Sequence, residues 1–415
     1  MNVPDANLPK PGPKPKDPIR PEDIEGLKYF TILRDLLEPL HKHCEVPNRK
    51  LYYDDLGALI LLFFLNPVIT SLRGLQQASK LKNVQRKLGI RRTSLGSLSE
   101  SSHVFDADLL GQVFQELAGQ AEALDGHPRP AGLAEELAIT ACDGSLLKGL
   151  PRAVWALWLD EGHKAAKLHL EFDILKGIPK MATVTDGNGN EKEVLRNRLE
   201  SSKLYVLDAG YAQYSLLDAI VQQGSSFVAR IRDNAVYAPL EDRELTEDDR
   251  QAGVIFDRVV RLGDAHKQKD LSRSVRVVKV HVKSPPPRGL AKRRAKVSSQ
   301  KTFRHQPEAY DLLLVSDLLD CPAETIALLY RYRWTVELFF RWFKCVLRFG
   351  HWLFESQNGV KILVYCALIV SLLITVWTGR KPTKRTLEMI QFYFQGWADL
   401  DELEEHFASL QKIAS

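Results

Sequence analysis

The sequence predicts an α/β protein in which a mixed core of strands and helices follows a helical N-terminal domain and contains a strand-rich insertion. Three observations predict this class. Residues 29–130 carry apolar side chains at helical spacing, residues 135–234 alternate apolar runs with turn signals, and a long amphipathic helix follows later in the chain. At 415 residues, the chain is long enough for two or three domains with a sizeable core.

Shifts in composition divide the chain into six segments. They are a disordered tail (1–28), a helical N-terminal domain (29–130), the first part of the core (131–235), a strand-rich insertion (236–308), the second part of the core (309–380) and C-terminal helices (381–415). The tail is rich in proline and poor in apolar side chains, so it cannot supply a packed core. Because the tail is polar throughout, we expect no signal peptide.

The overall composition is that of an ordinary soluble globular protein. Charged residues make up 26% of the chain and hydrophobic residues 45%. The net charge of +5 permits an anionic partner but does not by itself identify one. The five cysteines are scattered without a paired motif, which argues against a disulfide framework or a zinc site and favours a reducing cytoplasm.

Two apolar runs are candidates for membrane spans. They extend over Leu56–Leu65 and Ile362–Trp377. Both fall short of the ~20 apolar residues that a helix needs to cross the hydrocarbon core of a bilayer. We therefore expect two buried core helices and no membrane partner. A membrane protein that uses the second run is the disfavoured alternative.

Basic residues cluster within and after the third helical stretch of the N-terminal domain. The cluster consists of Arg73, Lys80, Lys82, Arg86, Lys87, Arg91 and Arg92, with Glu100 as the single acid nearby. Such a cluster predicts a surface that binds duplex DNA, because phosphate contacts dominate the affinity of such surfaces. A solvated helix flank would carry the same residues, and the sequence leaves both interpretations open.

Two aspartates follow apolar, strand-like runs of the core. Residues 135–142 lead into Asp143, and a second run ends at Asp208. Two further strand-like runs lie between them, and a helical stretch and another strand come after them. Three strands, a strand with a helix and then another strand is the chain order of a ribonuclease-H-like core. An aspartate at such a position is by itself more often a turn former.

The segment 236–308 interrupts this alternation. Its strand-like pieces at 254–263 and 274–282 are rich in β-branched residues. Residues 283–304 contain many Lys and Arg side chains, three consecutive prolines and no acid, so we expect a mobile loop there. The composition fits a loop that contacts DNA and fits equally well a charge run that is only solvated.

A single carboxylate lies in a row of cations on the helix predicted from Glu324 to Arg348. A stripe about 80° wide on this helix contains Tyr330, Arg333, Glu337, Arg341, Lys344 and Arg348. The remaining arc carries large apolar side chains that would bury the helix. A solvated face usually alternates acids and bases, so the stripe indicates a functional site. An exposed basic face with one internal salt bridge is the alternative.

The spacing of Tyr330, Arg333, Glu337 and Lys344 resembles the Tyr-Arg-Glu-Lys signature of bacterial insertion-sequence transposases of the DDE type, the cut-and-paste class with a ribonuclease-H-like core. Trp334 is a residue that such proteins often carry after the arginine. Four fixed positions over so short a stretch are far more specific than an isolated glycine motif.

Both aspartates have a matching context in that family. Asp143, Gly144 and Ser145 are similar to its Asp-Gly-Ser/Thr segment. Asp208, Gly210 and Tyr211 are similar to its Asp-Arg-Gly-Tyr segment. Ala209 stands where many relatives have arginine, which removes a phosphate contact, and Arg230 on the following strand is expected to supply charge nearby.

The resemblance implies that Asp143, Asp208 and Glu337 are the catalytic, metal-binding carboxylates, with Mg²⁺ as the ion and Mn²⁺ as the alternative. The residues expected to contact DNA are Tyr330, Arg333, Arg341, Lys344, Arg230 and Tyr211. Oxygen ligands suit these hard ions, and two ions ~3.5–4 Å apart stabilise the attacking and leaving oxygens of a phosphodiester. His169 is left outside the site, because an isolated histidine in a strand is more often simply packed.

The implied function is that of a transposase, which binds the ends of a mobile element, cleaves DNA by metal-dependent hydrolysis and joins the 3′-hydroxyl ends to target DNA. Its partners would be double-stranded DNA and a second copy of the chain in a synaptic complex. Its expected location is the cytoplasm, in association with the nucleoid. The alternative is a catalytically inactive transposase descendant that binds DNA or acts as a repressor.

Overall fold

The computed structural model of the protein describes most of the chain. The described residues are 33, 35–43, 51–121, 126–150, 152–160, 163–263, 271, 273–283, 309–347, 351–379 and 382–412. The predicted tail and most of the basic segment 283–304 lie outside them. The chain divides into two compact units, one formed by residues 1–125 and 343–415 and the other by residues 126–342.

The N-terminal part of the first unit is helical. After a 3₁₀ turn at Glu38–His43 come α1 (Tyr53–Leu65), α2 (Leu72–Ala78), α3 (Lys82–Leu88), α4 (Leu95–Val104) and α5 (Ala107–Gln120). Polar side chains cap three of these helices, because their oxygens accept bonds from otherwise unpaired amides of the first turn. Ser71 accepts from the Gly74 amide, Ser94 from the Ser97 amide and Asp106 from the Asp108 amide.

The second unit begins with six strands and two helices. They are β1 (Ala138–Lys148), β2 (Leu157–Asp160), β3 (His163–Asp173), β4 (Ile178–Asp186), α6 (Glu191–Arg196), β5 (Lys203–Leu207), α7 (Tyr214–Gln222) and β6 (Ser226–Ile231). All the strands and the helix that the sequence predicts in this region are present. The short elements β2 and α6 were not predicted.

Strand pairing places the two aspartates side by side on neighbouring interior strands of the sheet. β1 pairs antiparallel with β3 and parallel with β5, and β5 pairs parallel with β6. In the parallel register Cys142 lies opposite Leu207. Asp208 directly follows the end of β5, so Asp143 and Asp208 lie on neighbouring strands. β1 itself continues past Asp143 to Lys148, so Asp143 lies inside its strand and not directly after it, where the sequence predicts it.

The sheet continues beyond β6 through four antiparallel strands. They are β7 (Tyr237–Asp242), β8 (Val254–Leu262), β9 (Val275–Lys283) and β10 (Ala309–Ser316), with the short helix α8 (Glu247–Gln251) before β8. Among the described residues the sheet has ten strands, in the order β2-β3-β1-β5-β6-β10-β9-β8-β7 with β4 paired to β3. The predicted strand-like pieces of the insertion therefore extend the same sheet.

The helix predicted from Glu324 to Arg348 is interrupted. The structure has α9 (Ala323–Tyr332) and α10 (Trp334–Val346), which meet at Arg333. The Arg333 amide bonds to the carbonyls of both Leu329 and Tyr330, at 3.3 Å and 3.2 Å. This shared bond tightens the turn locally, which sequence periodicity alone does not predict. Arg348 lies outside the described residues.

The chain ends in α11 (Gln357–Thr378), α12 (Lys384–Gln395) and α13 (Leu400–Lys412). Within the described residues, α11 is the one helix long and apolar enough to cross a membrane, and 94% of its apolar window is buried inside the protein. Both α11 and α1, which contain the two apolar runs, are buried along almost their whole length. The expected core helices are thus confirmed.

We call strands β7–β10 the strand extension. A buried ion pair holds this strand extension against the start of α9. Arg276 on β9 donates to both carboxylate oxygens of Asp257 on β8, with 2.7 Å between Nε and Oδ1. Both side chains are buried. The guanidinium also donates to the carbonyls of Leu318, Leu319 and Cys321, just before α9. The loop that leads into α9 is therefore fixed by strands β8 and β9.

Replacing Arg276 by Met should lower the free energy of unfolding by about 3–5 kcal/mol, because Asp257 would remain buried without its cation. The double variant Arg276→Met/Asp257→Leu should recover part of this loss. Denaturant titration measures both. The exposed pair of Arg258 and Asp242 is the matched control, since Asp242→Ala should cost less than about 1 kcal/mol. Equal losses at the two pairs would contradict this account.

Candidate active site

Asp143 lies in β1, where its side chain is 22% exposed. Its Oδ1 accepts a 2.8 Å bond from the Gly144 amide. Burial raises the pKa of this carboxyl to about 6, against the opposing effect of the Arg333 guanidinium. Gly144 leaves room next to it for Glu191, since a Cβ there would lie 2.4 Å from the Glu191 carboxylate and the glutamate side chain would have to move.

Asp208 lies directly after β5 and begins a short 3₁₀ turn at Ala209–Tyr211. Its Oδ1 accepts from the Ala209 amide at 2.7 Å and from the Tyr330 hydroxyl at 3.0 Å. Burial pushes the pKa of Asp208 upward, but Arg333, the Ala209 amide and the Tyr330 hydroxyl together hold that pKa below its ordinary value. Asp208 is therefore held as a carboxylate.

The third acid, Glu337, lies on α10 one turn after Arg333. Its Oε1 accepts a 2.7 Å bond from Arg333 Nη2, and its side chain is 32% exposed. Arg333 Nη1 lies 3.7 Å from Asp143 Oδ2. The guanidinium also lies over the Tyr330 ring, at 5.3 Å from its centroid, and Tyr330 in turn binds Asp208. The structure thus brings all three predicted acids around one cation.

This arrangement differs from a preformed metal cage. Among the described residues, no group of three or more His, Cys, Asp or Glu side chains is close enough to hold an ion. The donor chemistry nevertheless fits a hard divalent ion, since all three side chains offer carboxylate oxygens. Asp143 and Glu337 are partly open to solvent, so that an ion could approach them.

Arg333, an expected DNA contact, lies deep in the site. Its side chain is only 5% exposed and faces the acids. Its Nε and Nη1 atoms make no hydrogen bond within the described part of the chain. The guanidinium therefore lies where its charge compensates the carboxylates, and its contact with DNA stays a prediction.

Tyr211, another expected DNA contact, is buried as well. Its side chain is 3% exposed and belongs to the apolar core on one face of the sheet. A DNA contact at this position would require the ring to leave the core, and the contact stays a prediction. The sequence does not separate the two roles, because a tyrosine after an Asp-x-Gly turn can point to either face.

The other predicted DNA contacts lie at different depths. Arg230 on β6 is half-buried, and its charge contributes to lowering the pKa of Asp208. Charge from Arg230 is expected near this site, because Ala209 stands where many relatives have arginine. Tyr330 is buried and bonded to Asp208. On α10, Arg341 is exposed and Lys344 is half-buried. Of these predicted cations, Arg341 is thus the exposed one, while Arg230 and Lys344 are equally half-buried.

One residue near the acids was missed by the sequence interpretation. Glu191, at the start of α6, lies against Gly144 and Gly210 and forms a 2.6 Å salt bridge with Lys167 on β3. Nothing in the spacing of the chain indicates this pair, because α6 itself was not predicted. His169, left outside the site, is buried, and its Nε2 lies 2.9 Å from the Thr185 hydroxyl.

The basic cluster of the N-terminal domain lies in the other unit. Its members occupy α2, α3 and the segments that follow these helices, and all are exposed: Arg73, Lys80, Lys82, Arg86, Lys87, Arg91 and Arg92. Exposure of every cation is what a surface for an anionic partner requires. A solvated flank would also leave them exposed.

Comparisons with known proteins agree with this geometry. Residues 136–373 match the family described as "Transposase DDE domain". The chain is 26% identical over 322 residues to "Putative transposase y4zB" of Sinorhizobium fredii, covering 76% of this chain and 77% of that protein. It is 25% identical over 300 residues to "Probable transposase for insertion sequence element IS5377" of Geobacillus stearothermophilus, covering 71% and 70%.

Among solved structures, the chain is similar to the piggyBac transposase in its synaptic complex with hairpin DNA. The match covers 92% of this chain and 84% of the other, with 11% identity and a TM-score of 0.40. A likeness at that level adds nothing to the assignment. The family match extends over more than half of the chain and includes Asp143, Asp208 and Glu337. The protein therefore belongs to the DDE-domain transposase family.

Proposed function

We propose that the protein binds the ends of a bacterial mobile DNA element, hydrolyses phosphodiester bonds at those ends and joins the freed 3′-hydroxyl groups to target DNA. The observation that carries this proposal is the convergence of Asp143, Asp208 and Glu337 around Arg333, inside the region that matches the family. The three acids come from separate elements, β1, the turn after β5 and α10, and all lie within the matched region.

Asp143, Asp208 and Glu337 would hold the divalent ions, Mg²⁺ or Mn²⁺. When bound, such ions activate the attacking oxygen and stabilise the leaving oxygen of a phosphodiester. The oxygen donors of all three side chains suit these ions. Their own mutual repulsion is reduced by the Arg333 guanidinium, which contacts Asp143 and Glu337.

The surrounding residues orient the acids. Tyr330 donates to one oxygen of Asp208 and leaves the other for an ion or a water molecule. Arg333 fixes the Glu337 carboxylate through a charge-assisted bond. We propose that Arg341 and Lys344 on α10 and Arg230 on β6 supply the positive charge for the phosphate backbone.

We further propose that the exposed basic cluster of the N-terminal unit binds the element ends, and that the protein acts as a homodimer in which one copy cuts the end bound by the other. Binding and cleavage of the DNA would take place in the cytoplasm, in association with the nucleoid. The exposure of all seven cations supports the first part of this proposal.

An inactive descendant that only binds DNA is less consistent with the site. A DNA-binding surface has no use for three acids beside a phosphate, because they repel it. Retention of all three acids, each with a bonded partner, favours an active enzyme.

Replacing Asp143 by Asn, Asp208 by Asn or Glu337 by Gln should abolish Mg²⁺-dependent cleavage, by about 10³-fold or more, because each change removes an ion ligand. Binding of the same DNA should persist. The measurement is nicking of a plasmid that carries the DNA flanking the gene, with binding followed separately by gel shift.

Glu241→Gln is the matched control, since Glu241 is exposed and lies on β7, away from Asp143, Asp208 and Glu337. It should cleave at the wild-type rate. Cleavage retained in any of the three acid variants would refute the assignment. Wild-type protein that binds this DNA but never cuts it, at any Mg²⁺ or Mn²⁺ concentration, would favour the inactive descendant.

The basic cluster makes a separate prediction about affinity. Replacing Lys87, Arg91 and Arg92 together by Gln should weaken binding to a labelled duplex. It should also reduce the slope of log affinity against log salt concentration by up to about 2.7, because about 0.9 counterions are released per phosphate contact. Fluorescence anisotropy over a salt series measures both quantities.

The matched control removes the same charge from other surfaces. Arg250, Arg261 and Arg385 are also exposed, and their combined replacement by Gln should change the slope much less. If both triple variants lower the slope equally, the N-terminal cluster is only part of a diffuse positive field, and the proposed binding surface is wrong.

A further inference from the structure

Residues 126–132, which precede β1 and which we call the entry segment, run alongside α9 and reach its junction with α10. The Thr325 hydroxyl near the start of α9 donates to the Ala131 carbonyl at 3.0 Å. Gly132 has a φ of +76°, and a Cβ there would lie 2.6 Å from the Pro322 ring. The entry segment therefore packs closely against the helix that carries Tyr330.

His127 contacts both sides of the α9–α10 junction. Its ring stacks on Tyr332, the last residue of α9, with centroids 3.8 Å apart and planes 4° from parallel. Its Nε2 lies 3.0 Å from the Thr335 hydroxyl on α10. Tyr332 and Thr335 flank Arg333 in the sequence, and all three are buried. One imidazole thus spans the point where the helix is interrupted.

The backbone of His127 is fixed from the sheet side. Its amide donates to the Ile174 carbonyl at 3.1 Å, directly after β3. Because β3 pairs with β1 through Asp143 and Leu170, the entry segment is tied to the same sheet that carries the first acid. His127 therefore connects the strand side of the site with its helix side.

The junction decides where the Arg333 guanidinium lies. Arg333 must reach Glu337 at 2.7 Å and Asp143 at 3.7 Å from one backbone position. A small rotation of α10 against α9 would move the guanidinium away from one acid or the other. Misplacement by ~1 Å of groups in an active site costs about 10²-fold in rate.

We propose that His127 is a positioning residue of the transposase site, which clamps the α9–α10 junction so that Arg333 stays between Asp143 and Glu337. This proposal rests on the proposed function for its effect on cleavage. Its effect on the Arg333 side chain stands independently of any activity. His127 touches neither the acids nor DNA in this account.

The test separates the two contacts of the imidazole. His127→Phe keeps a ring to stack on Tyr332 but loses the polar contact, and Thr335→Val removes the hydroxyl from the other side. Each change should lower the single-turnover nicking rate by about tenfold to a hundredfold. The double variant should be no slower than the slower single variant, because both changes break the same contact.

Conservative replacement and a control variant complete the kinetic test. His127→Gln can still donate to Thr335 and should recover part of the rate. His351→Ala removes an exposed histidine and should leave the rate unchanged. The affinity for the plasmid DNA should be the same in all variants, so that the loss appears in the rate constant and not in binding.

A spectroscopic measurement decides the matter without cleavage. In ¹⁵N-arginine-labelled protein, the Arg333 Nε signal, assigned by its loss in Arg333→Lys, should report a guanidinium with slow rotation. That rotation should become faster in His127→Phe and in Thr335→Val while the other arginine signals stay unchanged. If neither variant alters the Arg333 signal, or if both nick at the wild-type rate, the positioning role is wrong. If the wild-type protein never nicks DNA, the proposed function is wrong. The Arg333 Nε signal alone then tests the positioning role of His127.

Discussion

The whole site depends on the position of one buried guanidinium. Three carboxylates repel one another when they share a small, partly desolvated volume, and bringing them together costs free energy unless a cation lies among them. Arg333 contacts Asp143 and Glu337 directly and acts on Asp208 through Tyr330 and through its charge. The acids can therefore converge without unfolding the edge of the sheet.

The fold brings the acids together in two steps. Parallel pairing of β1 and β5 places Asp143, inside β1, beside Asp208, which directly follows β5. The chain then passes through the strand extension before it returns as α9 and α10 with Glu337. Arg276 and Asp257 hold the loop before α9. Asp249 on α8 accepts a 2.8 Å bond from the amide of Glu324, which lies in the first turn of α9. The extension thus also anchors the helix that completes the site.

The sequence predicts the three acids through a family resemblance and not through local pattern alone. Asp143 and Asp208 follow apolar runs, where an aspartate is more often a turn former, and it is the spacing around Glu337 that points to a shared site. Their role stays a prediction. The interruption at Arg333 lies where His127, Tyr332 and Thr335 meet, and these residues are far apart in the sequence or have no periodic signature. The burial of Tyr211 and of Arg333 likewise depends on which face of the sheet is covered, and a single sequence does not state this.

Helix α9 likewise donates a hydrogen bond at its N-terminus to a distant element. Its N-cap position is Pro322, which offers no side-chain oxygen, and the bonding group comes instead from Asp249 in the strand extension. A cap supplied from another element leaves no local signal. Helix α6 is capped locally, because the Asn190 side chain accepts a bond from the Lys192 amide, but its six residues are too few to show a helical period.

The most direct test of the account is a crystal soaked in Mn²⁺ and measured at the manganese absorption edge. The account predicts anomalous density among Asp143, Asp208 and Glu337, at about 2 Å from their carboxylate oxygens. That density should disappear in crystals of Asp208→Asn. Manganese bound elsewhere on the chain, with these three carboxylates bonded only to protein groups, would contradict it.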